Sequence, residues 1–407
     1  MRLRSALLSA LIALCAAPAL AQLGLPSLSA QLPDPLGTVS RTVDPLLSST
    51  RDLAAQASAL AAARIERIER LVRQGRDRIE LDAAGDPARR GELLVLGADP
   101  AALDLARDAG FALLGTERLD ALDLVVTRIA VPAGMPLAKA EPKLRALLPG
   151  AEVSADTLHF QAGWGSGESS KAAPTAAPIA VPVGVIDGAP ASGASAVRGF
   201  ASGAPRASDH GSAVISLLSG AGVRRVLVAD VYGGDPAGGN ALAIARAIDW
   251  LAASGARVVS VSLVGPDNVL LARAIAAGQR RGLVFVAAVG NDGPAAPPAY
   301  PASYPGVLAV TGVDGRGRPL IEAGRARHLD YAAPGADMVA LSASGRWVKV
   351  RGTSYAAPLV AARAAAALQA GGAVTARLDR EAQDLGPKGP DSRFGRGLLC
   401  GACRRSK

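Results

Sequence analysis

The sequence is poor in aromatic residues. Only 3% of its 407 residues are Phe, Trp or Tyr, although 50% are hydrophobic. A core must therefore be built from Ala, Val, Leu and Ile, which suits helices packed on a sheet. Basic runs interleaved with aromatic residues are also missing, although the net charge is +9. Because the arginines are scattered among acidic residues, the charge indicates a solvated surface and no nucleic-acid partner.

Long apolar runs are missing beyond the N-terminus. Two arginines in the first four residues precede an apolar stretch over residues 6–17, and a small-x-small motif ends at Ala21. This pattern is typical of a secretory signal peptide over residues 1–21, and the stretch is too short to span a bilayer. We expect an exported protein, periplasmic or secreted, without a membrane span in its mature form.

Cysteine is rare as well. Cys15 would leave with the signal peptide, and the bulky Leu14 before it argues against a lipid anchor. Cys400 and Cys403 remain as a Cys-x-x-Cys pair near the C-terminus. Neither a second pair nor a thioredoxin-like context surrounds them. A local disulfide in an exported protein is therefore a simpler interpretation than a redox pair or half a metal site.

Residues 22–90 predict a flexible segment followed by a charged helix. Residues 22–50 are rich in Pro, Ser, Leu and Thr and have little period. Residues 51–81 place apolar side chains on one face of a charged helix, and Asp86-Pro87 breaks that pattern.

Residues 91–162 predict a small α+β domain. Strands and helices alternate as in a ferredoxin-like sandwich. The predicted elements are strands over 92–96, 122–131 and 151–160 and helices over 100–109 and 136–148. Residues 163–178 consist mainly of Gly, Ser, Ala, Pro and Lys, which predicts an exposed linker.

From residue 179 the apolar pattern changes. Runs without alternation are typical of buried parallel strands, and helical patterns separate several of them. The runs cover residues 182–186, 226–231, 258–263, 283–288 and 307–310, and the helical patterns cover 241–253 and 269–281. We predict a three-layer α/β domain over residues 179–400, followed by a tail over 401–407. Functional residues of such sheets collect at the carboxyl ends of the strands.

Ser354 lies where a strand-like run meets an alanine-rich helical run. A serine at the first turn of a helix sees unpaired N–H groups and the positive end of the helix dipole, where an oxyanion can be stabilised. The same position suits an ordinary N-cap.

Three further polar residues lie at predicted strand or helix ends of this domain: Asp187, His210 and Asn291. Each alone suits a turn or a cap. Together with Ser354 they match a known chemistry. Histidine can take the proton of a serine hydroxyl, a carboxylate can orient the imidazole, and an amide can donate to the oxyanion. The combination favours nucleophilic attack on a carbonyl group.

Six motifs in this region occur in a recognisable order. They are Val183–Gly188, Asp209–Val214, Ala287–Gly293, Tyr300–Val310, Gly352–Pro358 and Arg393–Gly397. Over residues 179–400 they resemble the aspartate, histidine, oxyanion-asparagine, following, nucleophile and closing segments of subtilisin-like serine proteases, the subtilases. The order Asp, His, Ser is that of subtilisin.

The resemblance implies a serine endopeptidase that acts on proteins or peptides. Ser354 would be the nucleophile, His210 the general base, Asp187 its orienting carboxylate, and Asn291 an oxyanion donor beside the Ser354 N–H. A loop around Ala237-Gly238 would pair with the substrate as an added strand. The implied substrate-binding residues are Gly238, Ser262, Leu263, Val264, Ala288, Val289, Gly290 and Ala299.

The chain departs from the family pattern at several positions. Gly188 stands where Thr or Ser is usual, and Tyr355 and Leu359 replace Met and His. Val264 stands where a pocket wall often has glycine, so we expect a narrow pocket that favours small or medium apolar side chains. The domain is short for the family, no cofactor is expected, and no calcium site can be assigned.

Residues 91–162 resemble the small prodomain that precedes many subtilases. The resemblance implies an intramolecular inhibitor and self-cleavage between Gln161 and Ile179. An unrelated accessory domain is the alternative. Two other functions stay open: a non-catalytic peptide-binding protein on a subtilase fold, and a redox protein acting through Cys400 and Cys403.

Overall fold

The computed structural model describes residues 36–168 and 176–403. The predicted signal peptide, residues 22–35 of the predicted flexible segment and residues 169–175 of the predicted linker lie outside the described residues. The chain divides into residues 1–52 and a compact unit of residues 53–407. Both large sheets belong to the second unit.

The charged helix differs from its predicted bounds. Helix α1 spans Leu36–Gln74, so it begins earlier and ends before the predicted residue 81. Gly75 follows, and glycine is a poor helix former. Beyond it, Ile79 is fully buried in a small cluster with Leu158 and Ala237. This burial favours a strand where helical periodicity had predicted more helix.

The first sheet is five-stranded and antiparallel. Its elements are β1 Ile79–Leu81, β2 Pro87–Leu96, α2 Pro100–Asp108, β3 Ala112–Leu119, β4 Leu124–Ala130, α3 Leu137–Leu147 and β5 Glu152–Thr157. Strand β2 pairs with β4 and β5, and β4 pairs with β3. This is the β-α-β-β-α-β order of a ferredoxin-like fold, to which β1 adds a short strand. The predicted α+β architecture is confirmed.

Strand β3 was not predicted. It lies at the sheet edge, and most of its side chains are exposed or half-buried. An edge strand with few buried side chains lacks the alternation that marks one buried face. Burial instead distinguishes the elements around it, because Leu93, Leu137 and Leu144 are fully buried in one core.

The remaining strands and helices form the second part of the compact unit. The strands are β6 Phe160–Gln161, β7 Trp164–Glu168, β8 Val183–Asp187, β9 Ala196–Gly199, β10 Val226–Asp230, β11 Val258–Val261, β12 Leu263–Val264, β13 Val284–Ala288, β14 Leu308–Val313, β15 Tyr331–Pro334, β16 Met338–Leu341 and β17 Trp347–Arg351. The helices are α4 Asp209–Gly220, α5 Ala241–Ala253, α6 Val269–Arg280, α7 Thr353–Gln369 and α8 Val374–Glu381.

Seven strands form a parallel sheet in the order β15-β14-β13-β11-β8-β10-β9. Helices α4 and α7 pack with one face of this sheet, and α5 and α6 pack with the other. Alternate strand residues therefore enter opposite cores: Val183 and Val185 lie in one, and Ile186 lies in the other. The predicted three-layer α/β architecture is confirmed.

Four strands of this part were not predicted from the sequence, and one of them, β16, pairs antiparallel with β17. β9 and β15 lie at the two edges of the parallel sheet. β7 lies within the predicted linker, where it pairs antiparallel with β17. Its segment is rich in glycine and serine, so backbone pairing forms it without a side-chain pattern that could be read in advance.

Two further features concern the helices and the cysteines. Among residues 36–168 and 176–403, no single helix is long and apolar enough to cross a membrane, and one pair reaches that length only together, bent by 118°. Cys400 and Cys403 form the predicted disulfide.

The core of the first sheet should be sensitive to truncation of a buried side chain of α3. Replacing the fully buried Leu144 with alanine removes packing against β2 and β5, which should lower the free energy of unfolding of this sheet by about 2–5 kcal/mol. Hydrogen exchange of the β2 and β5 amides measures that loss. Leu105→Ala in α2 is the control, because Leu105 is 58% exposed and should cost no more than about 0.5 kcal/mol. Equal protection in both variants would contradict the described core.

Candidate active site

Three side chains far apart in sequence form one hydrogen-bonded chain. Asp187 lies at the carboxyl end of β8, His210 in the first turn of α4, and Ser354 in the first turn of α7. His210 Nδ1 is 2.8 Å from Asp187 Oδ2, and His210 Nε2 is 2.9 Å from Ser354 Oγ. A proton on Nδ1 directed at the carboxylate leaves Nε2 free to accept the serine proton.

Local structure fixes the approach of the histidine. Ser208 is the N-cap of α4, and its hydroxyl accepts a hydrogen bond from the Gly211 N–H at 3.0 Å. This cap sets where the helix begins and therefore where His210 lies. The aromatic ring of Tyr355 lies against the imidazole, with ring centroids 5.2 Å apart. Tyr355 thus occupies the space beside the His210 ring, and the preceding residue, Ser354, supplies the hydroxyl.

Asn291 lies at the start of α7 and keeps a donor without a partner. Its Oδ1 accepts the Thr353 N–H at 3.0 Å, which directs the amide nitrogen away from that contact. The Asn291 Nδ2 atom is buried and has no hydrogen-bond partner. A buried donor without a partner is unusual and costly. A Cβ built on Gly352 would lie 2.7 Å from this nitrogen, so glycine keeps the space open.

The polypeptide itself occupies the cleft. Gln161 and Phe160 of β6 pair antiparallel with Leu263 and Val264 of β12. Next along the chain, the Ala162 N–H donates to the Ser262 carbonyl at 3.2 Å, and the Ala162 carbonyl accepts from the Ser354 N–H at 3.0 Å.

The bond that follows Ala162 lies against the hydroxyl. A Cβ on Gly163 would lie 2.2 Å from Ser354 Oγ. The same Ala162 carbonyl oxygen would be 2.8 Å from a Cβ on Gly352. It therefore shares the small space between Ser354 and Asn291 where an oxyanion would form. The Ala162–Gly163 peptide is held as a substrate would be.

Upstream of this bond, the predicted pairing loop is displaced by one residue. The His159 N–H donates to the Gly239 carbonyl at 2.8 Å, and Leu158 bridges to Asn240. Gly238 instead donates within its own turn, to the Asp235 carbonyl. Residues 158–159 of the chain itself pair with this loop through Gly239 and Asn240, and Gly238, the predicted substrate-binding residue, does not take part.

A small cavity of about 50 Å³ lies beside the occupied cleft. Of the predicted pocket residues, Val264, Val289, Gly290 and Ala299 line it. Gly290 adjoins Val264, since a Cβ there would lie 3.4 Å from both Val264 methyl groups. Ser262 and Leu263 contact Ala162 and Gln161 through their backbones. Ala288 is buried in the main core and does not line the cavity.

Helix α1 reaches the same cavity, which the sequence analysis did not foresee. Arg64, Arg67 and Ile68 contribute to its lining. Arg67 pairs with Asp292 at 2.7 Å, and Arg64 pairs with the same carboxylate at 3.4 Å. Asp292 directly follows Asn291, so these ion pairs hold the helix beside the Asn291 amide. Alternating charges in the helix had indicated only a solvated face.

Two buried titratable groups, Asp156 and His159, lie shortly before strand β6. Burial raises the pKa of Asp156 from 3.8 to about 7, although its Oδ1 accepts the Leu242 N–H. Burial lowers the pKa of His159 from 6.5 to about 4, and this effect outweighs the nearby backbone of Thr157, Gly239 and Pro266, which favours the protonated ring. His159 is therefore neutral near pH 7, whereas Asp156 is about half protonated there.

No candidate metal site emerges from the described residues, among which no three His, Cys, Asp or Glu side chains form a cluster.

Residues 199–397 match the subtilase family (Peptidase_S8). The match includes His210 and Ser354 but begins after Asp187. Curated relatives cover part of the chain. Minor extracellular protease Epr of Bacillus subtilis is 31% identical over 167 residues, which are 40% of this chain and 26% of that protein. Subtilisin DY of Bacillus licheniformis is 33% identical over 167 residues, covering 39% of this chain and 60% of that protein.

A solved structure covers more of the chain. Fervidolysin from Fervidobacterium pennivorans, described as a keratinolytic enzyme related to subtilisin, is 19% identical and has a TM-score of 0.62. The match covers 78% of this chain and 61% of fervidolysin. This likeness concerns the fold. The chain spans less than two thirds of the length of each of these relatives.

The fold and the site define a three-layer α/β domain with an Asp-His-Ser constellation at the carboxyl edge of its parallel sheet. More narrowly, residues 199–397 match the subtilase family, and the fold is subtilisin-like.

Asp156 and His159 should make the free energy of unfolding depend on pH in opposite directions. Asp156 binds a proton in the folded chain that it releases when unfolded, so its contribution to stability falls as the pH rises from about 4 to 7. His159 stays neutral when folded but takes a proton when unfolded, so its contribution falls as the pH drops from about 6.5 to 4.

Thermal unfolding of Asp156→Asn and His159→Leu between pH 4 and 8 tests this, with each variant compared with an uncleaved parent. Asp156→Asn should gain more, or lose less, at pH 8 than at pH 5. His159→Leu should show the reverse. A difference from the parent that is constant with pH would contradict the assignment for that residue.

Proposed function

We propose that this protein is an exported serine endopeptidase, made as a precursor that cuts its own chain. One observation carries the proposal: the Ala162 carbonyl accepts the Ser354 N–H at 3.0 Å while the Ser354 hydroxyl lies 2.9 Å from His210 Nε2. A carbonyl, a nucleophile and a base are thereby within reach of one another.

The reaction follows from these positions. His210 Nε2 takes the hydroxyl proton as Ser354 Oγ attacks the Ala162 carbonyl carbon. Asp187 stabilises the imidazolium, and the Ser354 N–H with Asn291 Nδ2 binds the oxyanion. The C–N bond then breaks, and the imidazolium passes its proton to the Gly163 nitrogen. Water, activated by the same histidine, releases Ala162 from the serine as a carboxylate.

The proposed cleavage site is the Ala162–Gly163 bond. It lies within the interval between Gln161 and Ile179 that the sequence predicted. Antiparallel pairing on β12 supports it, because such backbone bonds hold an extended peptide in register. We therefore assign residues 91–162 to a prodomain, extended toward the N-terminus by β1, and residues 179–400 to the peptidase domain.

The prodomain is proposed to inhibit after cleavage. Its sheet is tied to the peptidase helices by paired hydrogen bonds: Glu117 binds Arg246 of α5 at 2.8 Å through both oxygens, and Glu152 binds Arg273 of α6. The Asn268 amide also donates to the Ala155 carbonyl. None of these contacts involves the scissile bond, so its hydrolysis leaves them in place.

Export is proposed from the N-terminal sequence and from the relatives. The pattern over residues 1–21 is that of a secretory signal peptide, and one relative is described as an extracellular protease. We propose a periplasmic or secreted location and protein or peptide substrates. The C-terminal disulfide suits such a compartment.

A second candidate function is peptide binding without cleavage. The observation that favours it is the occupied cleft itself, since a seated peptide is also what a binding protein would hold. A fluorophosphonate probe separates the two candidates. Covalent labelling of the wild-type chain, abolished by Ser354→Ala, supports the protease. Tight peptide binding without labelling supports the alternative.

Maturation of the full-length chain should depend on Ser354. The wild-type chain should convert to a product whose N-terminal sequence begins at Gly163, whereas Ser354→Ala should stay intact because the nucleophile is missing. Gel analysis and N-terminal sequencing measure both. Ser254→Ala, far along the chain at the end of α5, serves as a matched serine control and should process normally. Processing of Ser354→Ala at the wild-type rate would overturn self-cleavage.

The second prediction concerns the residue before the scissile bond. Val264 narrows the small cavity beside Gly290, so peptides with Ala or Val at this position should be cut faster than those with Phe, Tyr or Lys. One extra or missing methylene in such a pocket changes specificity by roughly 10- to 200-fold.

A peptide library measured with the wild-type enzyme tests the preference. Val264→Gly should shift it toward larger residues, and Val264→Ala should give an intermediate shift. The wild-type enzyme's preferring Phe or Lys would contradict the assigned role of Val264.

A further inference from the structure

We infer that the catalytic carboxylate Asp187 also recognises the substrate. A carboxamide side chain at the second residue before the scissile bond donates a hydrogen bond to Asp187 and completes the catalytic hydrogen-bond chain. The inference rests on the proposed function and adds a substrate class to it. Favoured substrates would carry glutamine at this second position, followed by a small residue at the bond itself.

The observation is a hydrogen bond between Gln161 and the buried Asp187 carboxylate. Gln161 Nε2 lies 2.8 Å from Asp187 Oδ1. An ionised carboxylate has acceptors only, so the glutamine must present its NH₂ group. Asp187 is fully buried and His210 is 7% exposed. A donor to a buried charge makes one of the stronger kinds of hydrogen bond.

Gly188 opens the path to this carboxylate. A Cβ at position 188 would lie 2.5 Å from Ser208 Oγ and 3.5 Å from Gln161 Nε2. Any side chain there would press on the cap of α4, and atoms beyond its Cβ would crowd the glutamine. Glycine leaves only its N–H on the carboxylate, at 2.7 Å. The sequence analysis noted Gly188 as a departure from the family pattern without a role.

The donor set of Asp187 is divided between enzyme and substrate. Besides His210 Nδ1, its oxygens accept from the Gly188 N–H and from Gln161 Nε2. The first two donors belong to the peptidase domain. The third belongs to the residue that precedes Ala162, so it arrives with each substrate and leaves with each product.

Backbone pairing makes this contact general. Because β6 pairs with β12 through main-chain bonds, any extended substrate in the same register presents its second side chain at the position of Gln161. Glutamate there would face Asp187 as a like charge. A lysine would be attracted, but its positive charge would oppose the imidazolium that His210 must form. Leucine would fill similar space without a donor.

A peptide series tests the inference without altering the protein. The processed wild-type chain is given peptides with Gln, Asn, Leu, Lys or Glu at the second position, Ala before the bond and Gly after it. The Leu peptide should show a kcat/KM about 10- to 100-fold below that of the Gln peptide, as expected for one hydrogen bond to a charged group. The Glu peptide should be slower still.

The division between kcat and KM identifies the role. Because the donor orients Asp187 while the imidazolium forms, the Leu peptide should lose mainly in kcat. Similar kcat/KM values for Gln and Leu, or a loss confined to KM, would overturn the inference.

Variants of the full chain give a second test. Gln161→Leu and Gln161→Glu should slow self-cleavage, with Gln161→Asn in between if its shorter amide still reaches. Gln279→Leu is the matched control, since Gln279 bonds the Pro305 carbonyl on the exposed side of α6. Unfolding temperatures of each variant, measured with Ser354→Ala, show whether folding is intact. Equal processing of folded Gln161→Leu and wild type would overturn the inference.

The two proposals fail differently. A wild-type chain that reacts with the fluorophosphonate and cuts peptides regardless of the second residue refutes the carboxamide preference and leaves the protease standing. A chain that neither reacts nor cuts refutes both.

Discussion

The pairing of a two-residue strand with the edge of the cleft governs the arrangement of the whole site. Phe160 and Gln161 bind Leu263 and Val264 through their backbones, and this register carries the next carbonyl to the Ser354 N–H. A shift by one residue would turn every following side chain to the opposite face. The positions of the seated bond, the carboxamide and the small pocket all depend on that single register.

The scaffold reserves space for chemistry at some cost. The Asn291 amide nitrogen is buried without a partner, and Gly352 holds a φ of 140°, a conformation that other residues rarely adopt. The burial of Asp156 and His159 adds further cost where residues 156–159 meet the peptidase domain. Such features are tolerated only because the surrounding parallel sheet and its helices are well packed.

The sequence predicted the centre of the fold better than its edges. Strands such as Val183–Asp187 are buried on both faces, so apolar runs reveal them, and the site residues follow because they lie at strand and helix ends. β3, β9 and β15 are edge strands, and β7 lies in a glycine-rich segment, so side-chain patterns say little about them. The contacts of Gln161 and Arg67 escaped prediction because they depend on which distant surfaces meet.

The attachment between the first sheet and helices α5 and α6 combines a shared apolar core with ion pairs, because Leu94, Leu119 and Val126 are buried in one cluster with Leu251 and Leu271. Glu152 and Arg273, which form one of its links, are 40% and 58% exposed, and Glu117 and Arg246 are about one third exposed. Charges this accessible are screened within about 8 Å at physiological ionic strength. Salt therefore weakens only the ionic part of this contact, and the buried leucines keep the first sheet attached in brine as in dilute medium.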